Sequence, residues 1–516
     1  MGLRRPPEVI RNGSRAGVIP WQPSCCSCRG LRGILSPGLD TSLMDGNDLT
    51  APLPLQLLRD LQAAVGTDWV FSDPDRMVVY ETDAQTAHSQ APHAVVLPAT
   101  TEEASEVVHA LHGHGILMIP RGAGTGLSGG AVALRGGVVV GTSRMTGILE
   151  VDHENRRALV QCGVLNNDLN AAVAPYGLHY APDPSSQSAC TIGGNVAENS
   201  GGPHCLKYGV TSRYVTALRV VLPDGRVTWL GGQGREQGAF DLAGLFVGSE
   251  GCFGLATEVE VALLPLPEAA RTLLVIFETI EDAGRAVTAI ISRGLLPAAL
   301  EIVDRNTIRA VEASIFAAGY PTDAGAALVV EFDGVEAGLE RHAEEAARCC
   351  LDAGAREVRH AGSDQERMAL WKGRKKAFGA MGRLAPDLLV QDATVPRSRL
   401  PGVLARISEI ARRYDLQVAN VFHAGDGNLH PNLVYDRRDP EERRRVEQAS
   451  AEIMKVCVEA GGTITGEHGV GVDKRKYMHL VFSPAELEIL RGVKQVFDPM
   501  GLCNPGKVLP DGQEAP

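Results

Sequence analysis

No stretch of the 516-residue chain approaches ~18 uninterrupted apolar residues, so the sequence offers no helical membrane span. Cations are in deficit: 50 Lys and Arg stand against 62 Asp and Glu, a net charge of −12. Binding a phosphate backbone rests on a net cationic surface, so nucleic acid is excluded as the main partner. The 11 cysteines are an odd number with no repeating CxxC frame, which points to reduced, mostly buried thiols in a cytoplasmic setting, without a disulfide framework. Cys25, Cys26 and Cys28 cluster, but three thiols without a nearby fourth ligand do not define a metal site. Residues 1–44 contain six Arg, only Glu8 and Asp40 as acids, and no apolar h-region, which excludes a secretory signal. They are expected to be a disordered leader, either an organelle transit peptide or the product of a mis-assigned start upstream of Met44. Internal repeats, low-complexity tracts and an iron–sulfur cluster motif are also lacking.

What is abundant is glycine, 58 of 516 residues, about 11% against a usual ~7%. After an N-terminal helical segment over 45–90, the pattern HAVVLP, TTEEASEVVHALHGHG, ILMIP reads strand, helix, strand, with Thr100 or Thr101 as cap. Short strands with turn signals then run to Pro265-Leu266-Pro267, giving a loop-rich αβ domain over 91–268. Beyond the Pro pair, RTLLVIF, EDAGRAVTAIISRG, PAALEIV and ALVVEF with the following helix suggest two β-α-β blocks. These predict a ferredoxin-like antiparallel sheet with helices on one face, in a second domain over 269–516. Helices are expected near 363–382, 398–414 and 440–460, with a helical tail. The class is α+β.

Gly124-Thr125-Gly126-Leu127-Ser128-Gly129 fits GxGxxG and follows a strand, as a dinucleotide fingerprint would. That motif must open a helix, whereas here AVALRGG leads straight into VVVG. The loop is instead expected to cradle an anion with consecutive backbone N–H groups. PDPSSQSACTIGGNVAENSGG at 182–202, KYG at 207–209 and GSEGCFGLATEVEV at 248–261 add small-residue loops. Four such loops within ~140 residues imply a large flat cofactor.

In QVANVFHAGDGNLHPNLVYD, Asp426-Gly427 between hydrophobic runs is a two-residue hairpin signal. That turn would pair Gly425 with Asn428, Ala424 with Leu429, His423 with His430 and Val421 with Asn432. Directly opposite Cβ atoms lie ~4.5–5.5 Å apart, so both imidazoles could reach one divalent ion, with Asn432 towards the same pocket. Glu467 and His468 in TGEHGVG are candidates for a third ligand and a proton acceptor. LWKGRKKAFGAMG supplies Arg374, Lys375 and Lys376, of which one is expected to face inward to meet an anionic substrate.

PRGAGTGLSGG, DPSSQ, TIGGNVAENSGG, GSEG, HAGDGNLH, GEHGVG and NPGK together resemble the FAD-linked oxidases of the vanillyl-alcohol oxidase/PCMH superfamily. The likeness spans essentially 75–510 and includes the glycolate oxidase D subunits and the D-lactate and D-2-hydroxyglutarate dehydrogenases. It implies a two-lobed PCMH-type FAD-binding domain, a cap carrying the substrate and metal site, and C-terminal helices that return to the flavin domain. It implies FAD on Arg121, Gly122, Ala123, Gly124, Thr125 and Gly126, with further contacts from Pro182, Asp183, Ser185, Gly193, Gly194, Asn195, Ala197, Gly201, Gly202 and Glu250. Thr125 stands where several members attach flavin through His, so the FAD is expected to be non-covalent. The resemblance further implies His423, His430 and Glu467 as ligands of Zn, Mn or Fe, His468 as base and Arg374 as the carboxylate clamp. Val390 stands where the 2-hydroxyglutarate enzymes carry Lys, which favours a short monocarboxylate such as glycolate or D-lactate. The implied reaction is oxidation of that 2-hydroxy acid to the 2-oxo acid. Implied partners are a small flavin-domain subunit and an iron–sulfur subunit, with any membrane association made through them. The alternatives are an alkyl-ether-forming transferase of the same fold and a non-catalytic flavoprotein assembly subunit.

Overall fold

Strands Ala94–Val96, Met118–Arg121 and Val138–Gly141 are fully or almost fully buried, and they form the parallel part of a four-stranded sheet. Thr100 caps the crossover helix Thr101–Gly113, its side chain accepting from the Glu103 amide, while Glu102 and Glu103 lie in the positive first turn. The computed structural model describes residues 52–232 and 240–511. The leader and the Cys25, Cys26, Cys28 cluster lie outside these residues. Helix Leu55–Val65 buries Leu57, Leu61 and Val65 against Val107, Val108 and Leu111, and Val70–Phe71 adds an edge strand beside Ala94–Val96. The N-terminal helical segment is therefore built into the first sheet.

As expected for a loop that is no dinucleotide fingerprint, the chain between Arg121 and Val138 forms no helix and runs directly into the next strand. A five-stranded antiparallel sheet follows, in the order Ile148–Asp152, Arg157–Gln161, Leu255–Ala262, Val215–Val221, Val227–Gly231. The chain returns late to the first sheet: the Met118 amide donates to Leu502 O at 2.8 Å, and the Asn504 amide donates to Met118 O at 2.7 Å.

The cap is built on a nine-stranded sheet. Its antiparallel ladder runs Glu357–His360, Ala269–Phe277, Ala326–Gly334, Ala299–Asp304, Gln417–His423. Leu273, Val275 and Phe277 pack on helices Ile280–Ser292, Leu339–Asp352 and Leu400–Arg413. The opposite face, expected to be uncovered, is buried as well. Leu274, Ile276, Ala299 and Val303 pack there with Ile308, Trp371 and Ala380 from helices Arg305–Glu312, Asp364–Lys375 and Ala377–Met381. Strands buried on both faces read as continuous apolar runs, and LLVIF from Leu273 is one. The side holding Ala299, Val303, Ala419 and Val421 presents Glu301 and His423 towards the site described below. No helix among the described residues is long and apolar enough to cross a membrane.

Candidate active site

One cavity of about 550 Å³ joins the glycine loops to the cap. Arg121, Gly122, Ala123, Gly124, Thr125, Gly126, Ser185, Gly193, Gly194, Asn195, Ala197, Gly201 and Glu250 line one side. Arg374, Lys375, Lys376, Val390, His423, His430, Asn432, Glu467 and His468 line the other. The loops are glycine-built because their backbone is closely packed on its neighbours: a Cβ at Gly122 would stand 2.5 Å from Thr191 Oγ1, and one at Gly193 2.7 Å from Cys162 Cβ and 2.9 Å from Cys162 O. Gly124 has φ +68° and lies on the Arg121 guanidinium. That guanidinium donates to Ala131 O and Val79 O, so it staples the loop.

Three expected cofactor residues are not on the cavity wall. Pro182 O accepts from Asn166 Nδ2, and a Cβ at Gly202 would meet Asp183 O. The Asp183 carboxylate pairs with His204 Nδ1 at 2.8 Å and Lys375 Nζ at 3.1 Å; burial opposes its charge, but the two cations hold it down at about 2. Glu250 lines the cavity, yet its carboxylate takes the Val470 and Gly471 amides at 2.6 Å each, tying the TGEHGVG loop to the flavin lobe.

The hairpin register differs from the expected one by two residues. His423 pairs with Asn428 and Ala419 with Asn432, around a four-residue bend rather than a two-residue turn. The bend is widened because Asp426 Oδ1 accepts from the Asn428 amide, while Gly427, at φ +82°, gives its carbonyl to the Val395 amide. An even offset keeps every side chain on its face. His423 Nε2 and His430 Nε2 accordingly converge on Glu467 Oε1 at 3.1 and 3.2 Å, and the two rings stand 5.3 Å apart at 88°.

The donor chemistry of this triad suits a cation. His430 is buried, which holds it below the ordinary imidazole range, and its Nδ1–H donates to Gln391 O. Its bare Nε2 lone pair therefore faces a carboxylate oxygen, an arrangement that a positive ion between them resolves. Burial opposes charge on His423, but Glu301 and Glu467 together raise it well above the usual range. Burial likewise opposes ionisation of Glu467, and His423, His430 and His468 hold its carboxyl well below.

His468 stacks on His430, with centroids 4.7 Å apart, and its Nε2 lies 3.5 Å from Glu467 Oε1. Its Nδ1, 4.0 Å from Asp392 Oδ2, is buried without a hydrogen bond, as are Asn432 Oδ1 and Arg374 Nε. Arg374 is the inward cation, while Lys376 is exposed at the rim.

Known proteins share this organisation. Residues 92–231 match the family model for the FAD binding domain, and residues 266–508 match that for FAD linked oxidases, C-terminal domain. Glycolate oxidase subunit GlcD of Escherichia coli K12 is 47% identical over 436 residues, covering 84% of this chain and 87% of its own length. The chain belongs to the FAD-linked oxidases. GlcD of Bacillus subtilis is 42% identical, over 84% of this chain and 92% of its own, and D-lactate dehydrogenase of Anaerostipes hadrus 36% identical, over 81% and 89%. Among solved structures, p-cresol methylhydroxylase superposes with a TM-score of 0.74 at 18% identity, covering 88% of this chain and 96% of its own; that likeness shows the PCMH-type fold alone. This FAD-linked oxidase is thus a flavoprotein oxidoreductase whose cofactor is FAD.

The FAD-linked oxidase also contains residues that sequence reasoning missed. Glu301, fully buried, takes His423 Nδ1 at 2.8 Å and Arg374 Nη2 at 2.5 Å. Asp392, equally buried, accepts from the His468 amide at 2.9 Å, Thr465 Oγ1 at 2.6 Å and Lys474 Nζ at 2.9 Å, and also from the Gly466 and Glu467 amides. A lone acid in an otherwise apolar strand, as in PAALEIV, is the signal that could have singled out Glu301.

Proposed function

We propose that this FAD-linked oxidase oxidises a short 2-hydroxy acid, glycolate or D-lactate, to the 2-oxo acid. One observation carries the reading: His423, His430, Glu467, His468 and Arg374 share a single cavity with the glycine loops. When bound, FAD supplies the hydride acceptor at N5, and a divalent ion, Zn, Mn or Fe, lowers the pKa of the substrate hydroxyl. His423, His430 and Glu467 hold that ion. Arg374 binds the substrate carboxylate through the edge of its guanidinium left free by Glu301, and Asn432 orients the substrate from the neighbouring strand. His468 accepts the hydroxyl proton at Nε2, the nitrogen that faces Glu467.

Val390, buried on the cavity wall and paired in register with Asn432, offers no cation to a second carboxylate, which supports a monocarboxylate substrate. Thr125 on the first loop supports non-covalent FAD. Similarity to GlcD supports a place as the large flavoprotein subunit of a glycolate oxidase assembly. There it would work with a small flavin-domain subunit and an iron–sulfur subunit that carry electrons onward, in the cytoplasm or at a membrane surface reached through those partners.

The test is anaerobic titration of metal-analysed protein with glycolate, D-lactate, L-lactate and D-2-hydroxyglutarate, following flavin absorbance. Glycolate or D-lactate is expected to bleach the flavin. His468→Ala is expected to retain FAD and lose bleaching, and unchanged bleaching in that variant removes the assignment of the base.

A further inference from the structure

Glu301 occupies strand Ala299–Asp304 in the middle of the cap sheet, directly across from His423. Its side chain is 0% exposed. An apolar residue would fill this core position without the desolvation of a carboxylate, so packing gives no reason for an acid here. What the acid does is join two groups: both of its oxygens lie 2.8–3.0 Å from His423 Nδ1, and Oε2 also lies 2.5 Å from Arg374 Nη2. The other imidazole of the triad, His430, gives its Nδ1 hydrogen bond to the neutral Gln391 carbonyl, with Asp392 Oδ1 farther off at 3.8 Å, so only His423 has a carboxylate hydrogen-bonded directly to Nδ1. Arg374 keeps a second edge, with Nε buried and unpartnered beside the cavity.

We propose that Glu301 is a positioning residue that sets His423 and Arg374 relative to each other, so that one buried side chain governs both retention of the ion and capture of the substrate carboxylate. This rests on the metal-assisted reading above. A carboxylate behind Nδ1 fixes the tautomer of His423 and strengthens Nε2 as a donor. The same carboxylate, held on one edge of the planar guanidinium, orients the opposite edge for a second carboxylate.

The test uses flavin-loaded protein carrying Glu301→Ala or Glu301→Gln. Zn²⁺ and Mn²⁺ affinities are read by competition with a chromogenic chelator, and KM and kcat for glycolate and D-lactate are read at saturating ion. Glu301→Ala is expected to weaken ion binding by about 10–100-fold, the usual cost of losing an outer-shell partner. KM is expected to stay raised by about tenfold or more at saturating ion, because Arg374 has lost the charged hydrogen bond that holds it. Glu301→Gln is isosteric and keeps an acceptor for Nδ1–H, so ion affinity is expected to return most of the way while KM stays raised. FAD content and the flavin spectrum report folding in both variants, and the Gln variant alone decides the question if the Ala variant does not fold. A residue that only supported the fold would give wild-type KM once ion was saturating. That result, or ion affinity and KM both unchanged, overturns the proposal. Absence of ion binding by the unsubstituted protein overturns the metal-assisted reading itself, and Glu301 with it, before any variant is compared.

Discussion

Asp392 is the residue on which the TGEHGVG loop hangs, and replacing it with Asn separates charge from shape. The carboxylate is 0% exposed and faces Lys474, whose side chain is 4% exposed, across 2.9 Å. It also faces Thr465 Oγ1 and three consecutive backbone amides from Gly466 to His468. Asn has one acceptor oxygen where Asp has two, so its NH₂ must confront a donor, and the buried Lys474 ammonium loses the carboxylate it is hydrogen-bonded to. Breaking a buried ion pair on one side costs about 3–5 kcal/mol. Unfolding about 450 residues at about 2.1 cal/mol/K each gives roughly 0.95 kcal/mol/K, so Tm should fall by about 3–5 °C. Scanning calorimetry of the flavin-loaded protein measures this. The double substitution Asp392→Asn with Lys474→Met removes the stranded charge and is expected to recover at least half of the loss. If single and double variants melt together below the wild type, the ion pair is not the source of the cost and the argument is wrong. Glu467 and His468 ride on the same loop, so flavin reduction by substrate should slow in both variants.

Two further outcomes follow from the same geometry. Stripping the divalent ion with dipicolinate is expected to leave FAD bound, because the glycine loops and the His423, His430, Glu467 triad are separate walls of the cavity, and to slow bleaching by glycolate about 100-fold or more until Zn²⁺ or Mn²⁺ is returned. Bleaching at the original rate in verified ion-free protein counts against the site. His204 links the lobes through Asp183 at 2.8 Å and Glu331 at 3.3 Å; burial opposes its charge, but these acids raise its pKa from 6.5 to about 10. A raised pKa contributes stability that is complete below the unfolded value near 6.5 and disappears as pH climbs through about 10. His204→Gln should therefore lower Tm at pH 6 and make little difference above pH 10; a gap that does not narrow with pH refutes the charged bridge.

The sequence made some of this architecture legible because local chemistry decided it. The refusal of a helix after Gly129 and the capped helix after Thr100 both depend on neighbouring residues alone. The bend at Asp426-Gly427 was readable, but its width was not, since the Val395 amide that captures the Gly427 carbonyl comes from a segment about thirty residues earlier in the chain. Parity protected the conclusion: a shift of two residues left both imidazoles on one face. The second layer of the cap was written in the unbroken apolar run from Leu273, where a one-faced sheet would alternate. Glu301 could be singled out as the lone acid of an apolar strand, but neither its role nor that of Asp392 was legible, because a buried acid declares its purpose only through partners far away in the chain, here 122 residues on for His423 and 82 for Lys474.

The docking of Leu502, Cys503 and Asn504 onto Met118 sets an order of events during biosynthesis. The edge of the first sheet is translated nearly four hundred residues before the segment that seals it. At a typical elongation rate of about 5–20 residues per second, that edge waits on the order of tens of seconds beside the ribosome with its hydrogen-bonding groups unmet. Chains truncated before Leu502 are expected to keep that edge open and to pair with other chains more readily than the full chain does.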